Sequence, residues 1–136
     1  MNITAYTTTD MDIEWTDESW DTFFMKFAIL VAEDLSTLHN NRNGAVVVLD
    51  RKVLAFGGTE WTECDGSCRQ IEGEPAGEHS DGHALHPTIV ALRTVTDRQV
   101  CGATLYITEI PCDICIDVMN DVGIARLVCL GRDINI

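Results

Sequence analysis

Two cysteines at the start of a predicted helix are the residues in this chain best suited to chemistry. Cys112 and Cys115 lie in the run Pro111-Cys112-Asp113-Ile114-Cys115. Residues three apart lie on one face of a helix, so both thiols can share one metal ion, and the positive helix end favours the thiolate that a metal requires. Structural and redox-active cysteine pairs have the same spacing. The pair alone therefore leaves metal binding and redox chemistry open.

A histidine near the start of the preceding predicted helix supplies a third candidate ligand. His83 and His86 lie in the run His83-Ala84-Leu85-His86. One histidine and two cysteines make three ligands, which leave the fourth tetrahedral position of zinc open to water, as in catalytic zinc sites. The combination predicts a metal centre, and either histidine can be its third ligand.

A second set of potential ligands lies in the long segment between these elements and the first strands. Cys64, Cys68 and His79 have the spacing Cys-x3-Cys-x10-His, and His86 follows seven residues later. Two cysteines and two histidines are typical of a closed structural zinc site, which would hold the long loop in place. Free thiols and unconnected histidines are the alternative, and the sequence leaves both open.

Apolar periodicity and turn residues predict the elements that must position these side chains. The order is α-β-β-α-β-α-β, which predicts an α/β sandwich with one central mixed sheet. Residues 1–15 are predicted to form an irregular arm, and residues 16–136 a single domain. The predicted elements are a helix over 17–37, a hairpin of strands 45–49 and 53–56, a long loop over 59–82, a helix over 84–97, a strand over 103–108, a helix over 112–121 closed by Gly123, and a strand over 124–130.

Composition limits the classes of function. The 136 residues carry 22 acidic and 9 basic side chains, a formal net charge of −13, which argues against non-specific binding to a phosphate backbone. The longest apolar run, Phe27 to Ala32, is too short to span a bilayer, and no export signal is evident, so we expect a cytoplasmic location. Cys101 and Cys129, on or beside predicted strands, are expected to be core residues.

The chain resembles the zinc-dependent cytidine and deoxycytidylate deaminase superfamily, and within it the deoxycytidylate (dCMP) deaminases, over roughly residues 19 to 131. The resemblance rests on Pro111 to Cys115, on His83-Ala84 with Ile89, and on the softer patterns Gly44-Ala45-Val46-Val47, Thr104 to Thr108 and Gly123-Ile124. It implies a three-layer α/β/α fold, and zinc held by His83, Cys112 and Cys115. Zinc-bound water would attack a cytosine-like base of a pyrimidine nucleotide and release ammonia.

The resemblance carries further implications. It favours His83 over His86, because His-Ala followed by a helical Ile fits the family pattern. Some phage-type members hold an additional zinc near a comparable insertion, and members commonly form homo-oligomers.

Two positions depart from the family pattern. The family motif His-Ala-Glu uses its glutamate as a proton shuttle, and this chain has Leu85 there, or Thr88 if His86 is the ligand. Neither residue titrates near neutrality. Related deaminases often place an asparagine that touches the sugar at the position of Gly57. The missing carboxylate puts catalysis itself in doubt.

Three carboxylates near the predicted metal ligands could replace the missing shuttle. Glu109, three residues before Cys112 in the strand-to-helix loop, is favoured over Asp113 and Asp81 because the resemblance places that loop beside the pocket. We therefore expect a zinc-dependent nucleotide deaminase with Glu109 as an atypical shuttle. The alternative is a catalytically inactive, zinc-containing relative that binds nucleotides or serves a partner as a regulatory subunit.

Overall fold

The protein is described by a computed structural model, in which residues 2–6, 17–37, 42–63 and 82–130 are described. Alternating β-branched and turn-forming segments fold into strands and helices in the order expected of an α/β chain. The elements are β1 (Asn2–Tyr6), α1 (Asp17–Asp34), β2 (Gly44–Leu49), β3 (Lys52–Gly58), β4 (Glu60–Glu63), β5 (Gly82–Leu85), α2 (Pro87–Leu92), α3 (Asp97–Val100), β6 (Thr104–Ile107), α4 (Asp113–Val122) and β7 (Arg126–Leu130).

A five-stranded mixed sheet forms the middle layer, with the strand order β1-β7-β6-β2-β3. Strands β1, β7 and β6 run parallel, while β2 is antiparallel to both β6 and β3. The predicted mixed central sheet and the predicted hairpin of β2 and β3 are both confirmed. In the described part of the chain, no helix is both long and apolar enough to cross a membrane.

The side chains of each central strand alternate between two cores, because successive residues of a strand point to opposite faces. Val46, Val48 and Tyr106 pack with α1 on one face. Val47 and Leu105 pack on the other face, together with residues of α2, α3 and α4. The sheet therefore lies between two helical layers, which confirms the predicted α/β/α sandwich.

Helix α2 is much shorter than the predicted helix over 84–97. It begins at Pro87, and residues 82–85 form strand β5 instead. A proline ring disfavours the helical conformation of the preceding residue, so His86 is extended, with φ −66° and ψ 145°. The proline occupies the first helical position, where a missing N–H costs nothing. The helix therefore starts about three residues later than the apolar pattern indicated.

Three other predictions about the elements need correction. Residues 2–6 of the predicted arm form β1, which pairs with β7 from Asn2 opposite Arg126 to Tyr6 opposite Leu130. Both ends of the predicted loop over 59–82 are also strands, since β4 pairs with β5. Cys101 is exposed at the end of α3 rather than buried. Local sequence patterns missed these strands because their pairing partners are distant in the chain.

Near the start of α1, a buried ionic network joins the helix to the sheet. The Tyr106 hydroxyl donates to Asp21 Oδ1 at 2.6 Å, and the Arg126 guanidinium donates to both carboxylate oxygens of Asp21. These residues line one side of a cavity of about 490 Å³ that also contains Trp20 and Arg51. The cavity is lined by Thr104 at the start of β6, whereas the Pro111–Cys115 motif follows the end of that strand.

Cys129 makes the folded state sensitive to alkaline pH. Its side chain is fully buried in β7, and burial raises the pKa of the thiol from 9.0 to about 11. The folded protein thus keeps a proton that the unfolded chain loses above pH 9. The free energy of unfolding of the parent protein should therefore fall between pH 9 and 11. In Cys129→Ala we expect this fall to be smaller by about 1.4 kcal/mol per pH unit. Urea unfolding across this range measures the slope.

The exposed Cys101 provides the control for this measurement, since a Cys101→Ala variant removes a thiol without emptying the core. Its pH slope should match that of the parent protein. Equal pH slopes for Cys129→Ala and the parent protein would show that the Cys129 thiol is not the source of the pH dependence.

Candidate metal centre and active site

Three side chains from two separate segments converge on one point. His86 Nδ1 lies 3.3 Å from Cys115 Sγ and 3.4 Å from Cys112 Sγ, and the two sulfur atoms are 3.4 Å apart. His86 and Cys112 are half-buried and Cys115 is buried. Within the described residues, these three form a group whose ligand atoms all lie within 4.8 Å of one another.

Two helix starts hold the group. His86 is the residue before the first turn of α2, and Cys112, with φ −74° and ψ 168°, is the corresponding residue of α4. Cys115 lies in the first turn of α4, where the Ile116 amide donates to the Cys112 carbonyl at 3.0 Å. The prediction of one histidine at one helix start and two cysteines at the next is therefore matched by the geometry.

The histidine of the group is His86, whereas the sequence resemblance favoured His83. His83 lies on β5 in register with Thr62, three residues before the helix. The prediction and the structure differ because α2 begins at Pro87, three residues later than predicted. It is His86, not His83, that occupies the helix start facing the cysteines.

Close packing between α2 and β3 fixes the position of that helix. A Cβ atom at Gly57 would lie 2.6 Å from the Ala91 backbone nitrogen and 2.8 Å from Val90 Cγ1. Any side chain there would push α2 away from the sheet. Gly57 thus allows the approach that places His86, and an asparagine side chain at this position does not fit this backbone arrangement.

Glu109 is a half-buried carboxylate beside the group. Its Oε2 atom accepts a hydrogen bond of 2.8 Å from Asn43 Nδ2. Burial raises the pKa of Glu109 above its ordinary value, and the charge of His86 opposes that rise. Glu109 in turn is one of the charges that act on Cys115. Of the other predicted carboxylates, Asp113 is exposed and Asp81 lies outside the described residues.

The surroundings of Cys115 favour its thiol over its thiolate when no cation is present. Burial, followed by the hydrogen bond and the charge of Cys112, raises the pKa of Cys115 from 9.0 to about 12. A metal ion binds the thiolate, so binding must release protons. The group therefore needs a cation to hold two sulfur charges so close together.

The residues present fit zinc. One imidazole nitrogen and two sulfurs are zinc's preferred donors, and tetrahedral bonds of about 2.0–2.3 Å place neighbouring donor atoms roughly 3.5–3.8 Å apart. The observed separations of 3.3 to 3.4 Å are within a few tenths of an ångström of that range. Nearby, the Thr88 hydroxyl is fully buried and has no hydrogen-bond partner within the described residues. Such a group normally has a partner, which suits a site for a polar ligand.

With His86 as the histidine of the group, Thr88 has the spacing that the family resemblance gives to the proton shuttle. It follows His86 by two residues, the spacing of glutamate in His-Ala-Glu. Leu85 lies instead on β5, in register with Glu60. The sequence left Leu85 and Thr88 open as the position of the shuttle. The place of His86 at the start of α2 favours Thr88.

The predicted loop site is largely outside the described residues. Cys64, Cys68 and His79 fall there, and of His83 only the backbone is described. His86, named as the fourth ligand of that site, lies instead against Cys112 and Cys115. A loop site would therefore need another fourth ligand.

The comparison with known protein families decides what this arrangement belongs to. The family model described as "Cytidine and deoxycytidylate deaminase zinc-binding region" matches residues 18–131. The chain belongs to this family. The match includes all three residues of the group, so the deaminase zinc-binding region and the His86, Cys112 and Cys115 donor set both support zinc as the metal.

Two relatives agree with the dCMP branch of the deaminase family. The deoxycytidylate deaminase of Mycobacterium phage D29 is 32% identical over 119 residues, which are 80% of this chain and 92% of the relative. The deoxycytidylate deaminase of Saccharomyces cerevisiae is 33% identical over 122 residues, which are 81% of this chain and 37% of the relative. The phage enzyme thus matches over nearly its whole length.

The deaminase fold is also found in a solved structure. The dCMP deaminase of cyanophage S-TIM5 in complex with dCMP and dUMP aligns with a TM-score of 0.62 and 20% identity, covering 84% of this chain and 82% of that one. Its apo form aligns with a TM-score of 0.60. These likenesses confirm the cytidine-deaminase-like fold.

Neither Asn43 nor the buried hydroxyl of Thr88 was identified from sequence as part of the site. Asn43 lies in a turn-rich segment, and 66 positions separate it from Glu109. Thr88 was considered only as a residue unable to titrate. Sequence spacing contains no signal for the Asn43–Glu109 contact or for the burial of the Thr88 hydroxyl.

Proposed function

We propose that this deaminase-family protein is a zinc-dependent nucleotide deaminase of the dCMP type that uses an atypical proton carrier. The convergence of His86, Cys112 and Cys115 carries the proposal, since it offers three zinc donors of the kind found in catalytic sites. The names of the relatives support a cytosine nucleotide as substrate. The cyanophage structure, solved with dCMP and dUMP, supports the same substrate class.

The reaction exchanges the amino group of the base for an oxygen atom from water. Carbon C4 gains the oxygen, the bond to the amino nitrogen breaks, and ammonia leaves. When bound, zinc lowers the pKa of water to about 7 and supplies a nucleophile at neutral pH. What remains for the chain is to move protons, because the water loses them and the ring and the leaving nitrogen gain them.

We assign this proton transfer to Glu109. Asn43 holds Oε2, so Oε1 is the oxygen that receives a proton from water and returns it to the base and to the leaving amine. A proton carrier works best when its pKa is close to the operating pH. In the metal-free chain, burial moves the pKa of Glu109 in that direction, and the charge of His86 opposes the rise.

One observation favours a second function, that of an inactive relative. Thr88, at the family's shuttle position, cannot carry a proton near neutral pH. A zinc-containing fold without a shuttle would still bind a nucleotide or a partner subunit, because the shuttle is not a metal ligand. The two functions differ in whether the purified, zinc-loaded protein turns over.

An assay of zinc-loaded protein with dCMP, dCTP and deoxycytidine tests the proposal. Ammonia release and the change from the cytosine to the uracil absorbance report the reaction. We expect turnover of at least one of these substrates. Its absence in folded protein with a full zinc content would overturn the first function and leave the second.

Metal content tests the ligands directly. We expect His86→Ala and Cys112→Ser each to lose one equivalent of zinc per chain, because two remaining donors hold zinc weakly. The measurement is elemental analysis after dialysis against a mild chelator. His83→Ala is the matched histidine control, and it should retain the zinc of this group. If His86→Ala kept its zinc while His83→Ala lost both zinc and turnover, His83 would be the ligand instead.

The loop site remains a proposal, and we now place His83 rather than His86 beside Cys64, Cys68 and His79 as its fourth ligand. His83 is on β5, whose partner β4 leads directly into Cys64. The same metal analysis tests the loop site. Cys64→Ser and His83→Ala should each lose the one zinc equivalent of the loop, keep the zinc of the His86 group, and keep turnover. An unchanged metal content in Cys64→Ser would reject the loop site.

A further inference from the structure

A chain of three hydrogen bonds ends on Glu109. The Gly44 backbone amide donates to Thr108 Oγ1 at 3.0 Å, and the Thr108 hydroxyl donates to Asn43 Oδ1 at 3.0 Å. Asn43 Nδ2 then donates to Glu109 Oε2 at 2.8 Å. The chain joins the start of β2 to the loop after β6, which leads through Cys112 into α4.

The direction of every bond in this chain is fixed. A backbone N–H can only donate, so Thr108 Oγ1 accepts from Gly44 and is left to donate its own proton to Asn43. An asparagine side chain has one acceptor and one donor group. Since Oδ1 faces the threonine hydroxyl, the amino group must face Glu109. The carboxylate therefore meets a donor that cannot turn away without breaking the chain.

The backbone around Asn43 is held as firmly as its side chain. The Thr59 amide donates to the Asn43 carbonyl at 2.9 Å, and the Asn43 amide donates to Thr59 Oγ1 at 3.2 Å. One residue on, the Thr108 amide donates to the Gly44 carbonyl at 3.0 Å. Asn43 is thus tied to both neighbours of β2 at this end of the sheet.

Within the part of the chain that the structure describes, Glu109 has no comparable support of its own. It lies in the short loop between β6 and α4, next to Ile110, whose side chain is 59% exposed. A carboxylate on a loop has several rotamers, and each misplacement of a reacting group by about 1 Å can cost roughly 100-fold in rate. A donor fixed by the sheet removes that freedom.

We propose that Asn43 is the positioning residue that holds the Glu109 carboxylate beside the His86, Cys112 and Cys115 group, with Thr108 setting the direction of its amide. The inference rests on the proposed function in that it gives Glu109 a role in turnover. The positioning itself depends only on contacts within this chain.

The sharpest variant is Asn43→Asp, which keeps the shape and the acceptor for Thr108 but replaces the donor that faces Glu109. We expect kcat to fall 10- to 100-fold with KM within threefold of the parent value. Thr108→Val, which frees the amide to rotate, should lower kcat less, and again without a large change in KM. Asn120→Asp makes the same substitution at an exposed position on α4 and should leave both constants unchanged.

A second measurement does not depend on activity. In metal-free protein, the urea midpoints of Asn43→Ala, Glu109→Ala and the double variant form a thermodynamic cycle. If the two side chains interact, the midpoint loss of the double variant is smaller than the sum of the single losses. Purely additive losses would overturn the contact and with it the inference.

The outcomes separate this inference from the proposed function. If Glu109→Gln loses turnover but Asn43→Asp keeps kcat within threefold, the inference is overturned and the function stands. If the parent protein has no turnover, or Glu109→Gln keeps it, the proposed role of Glu109 falls. The thermodynamic cycle alone then decides whether Asn43 holds Glu109. A double-variant loss smaller than the sum of the single losses supports the inference, and additive losses contradict it.

Discussion

Replacing Glu109 by glutamine should lower kcat for the cytosine nucleotide by about 10²–10⁴, the usual contribution of a general acid–base group. Glutamine keeps the size of the side chain and can still contact Asn43, but it cannot accept and return a proton at Oε1. The measurement is steady-state ammonia release at saturating substrate. Zinc content should stay at the parent level, because Glu109 is not among the proposed ligands.

Asp113 supplies the matched control for this variant. It is a carboxylate between the two cysteines, but it is exposed to solvent, so Asp113→Asn should keep kcat within a small factor. An unchanged kcat in Glu109→Gln would exclude Glu109 as the proton carrier. A loss in Asp113→Asn alone would transfer the role to that residue.

Introducing a glutamate at Thr88 should restore turnover to the Glu109→Gln protein by about 10²–10⁴. With His86 as the metal ligand, residue 88 has the spacing of the family's shuttle. Its hydroxyl is buried without a partner in the described part of the chain, which leaves a polar position there. Should the parent protein be inactive, Thr88→Glu in the parent background is the variant that would confer activity.

Leu85→Glu is the control that separates the two histidines. Leu85 is on β5, in register with Glu60, and a carboxylate there should not rescue turnover. Thr88 is fully buried, so circular dichroism and zinc analysis must first show that Thr88→Glu is folded and metal-loaded. Rescue by Leu85→Glu alone would restore His83 as the ligand, and failure of a folded, zinc-loaded Thr88→Glu would contradict the placement of the shuttle at this position.

Much of the fold could be predicted because its signals are local. The β2–β3 hairpin follows from two β-branched runs around a turn, and Asp50 and Arg51 indeed take the positive φ values of a tight hairpin turn. Helix α4 ends where Gly123, with φ 86°, adopts the left-handed conformation that glycine tolerates best. Residues within a few positions of one another decide these features, so the printed order of residues is sufficient.

Other features depend on residues that meet only in the folded chain. Strand β1 forms because β7 offers an unpaired edge, a partner more than 120 residues away that no local pattern can reveal. Glu109 and Asn43 are brought together by the pairing of β2 with β6. The family resemblance ranked Glu109 first among three carboxylates, but only the structure gives it a partner and a place beside the group.

The sequence alone determined the family, the α/β sandwich and a metal centre built from one histidine and two cysteines. Motif spacing and apolar periodicity depend only on residues that are close together in the chain. Tertiary structure decided which histidine joins the cysteines. Pro87 holds His86 extended and starts α2 directly after it, and Gly57 lets that helix pack against β3, so the imidazole of His86 meets the start of α4. Which histidine faces the cysteines depends on where α2 begins, and packing fixes that point more closely than periodicity can.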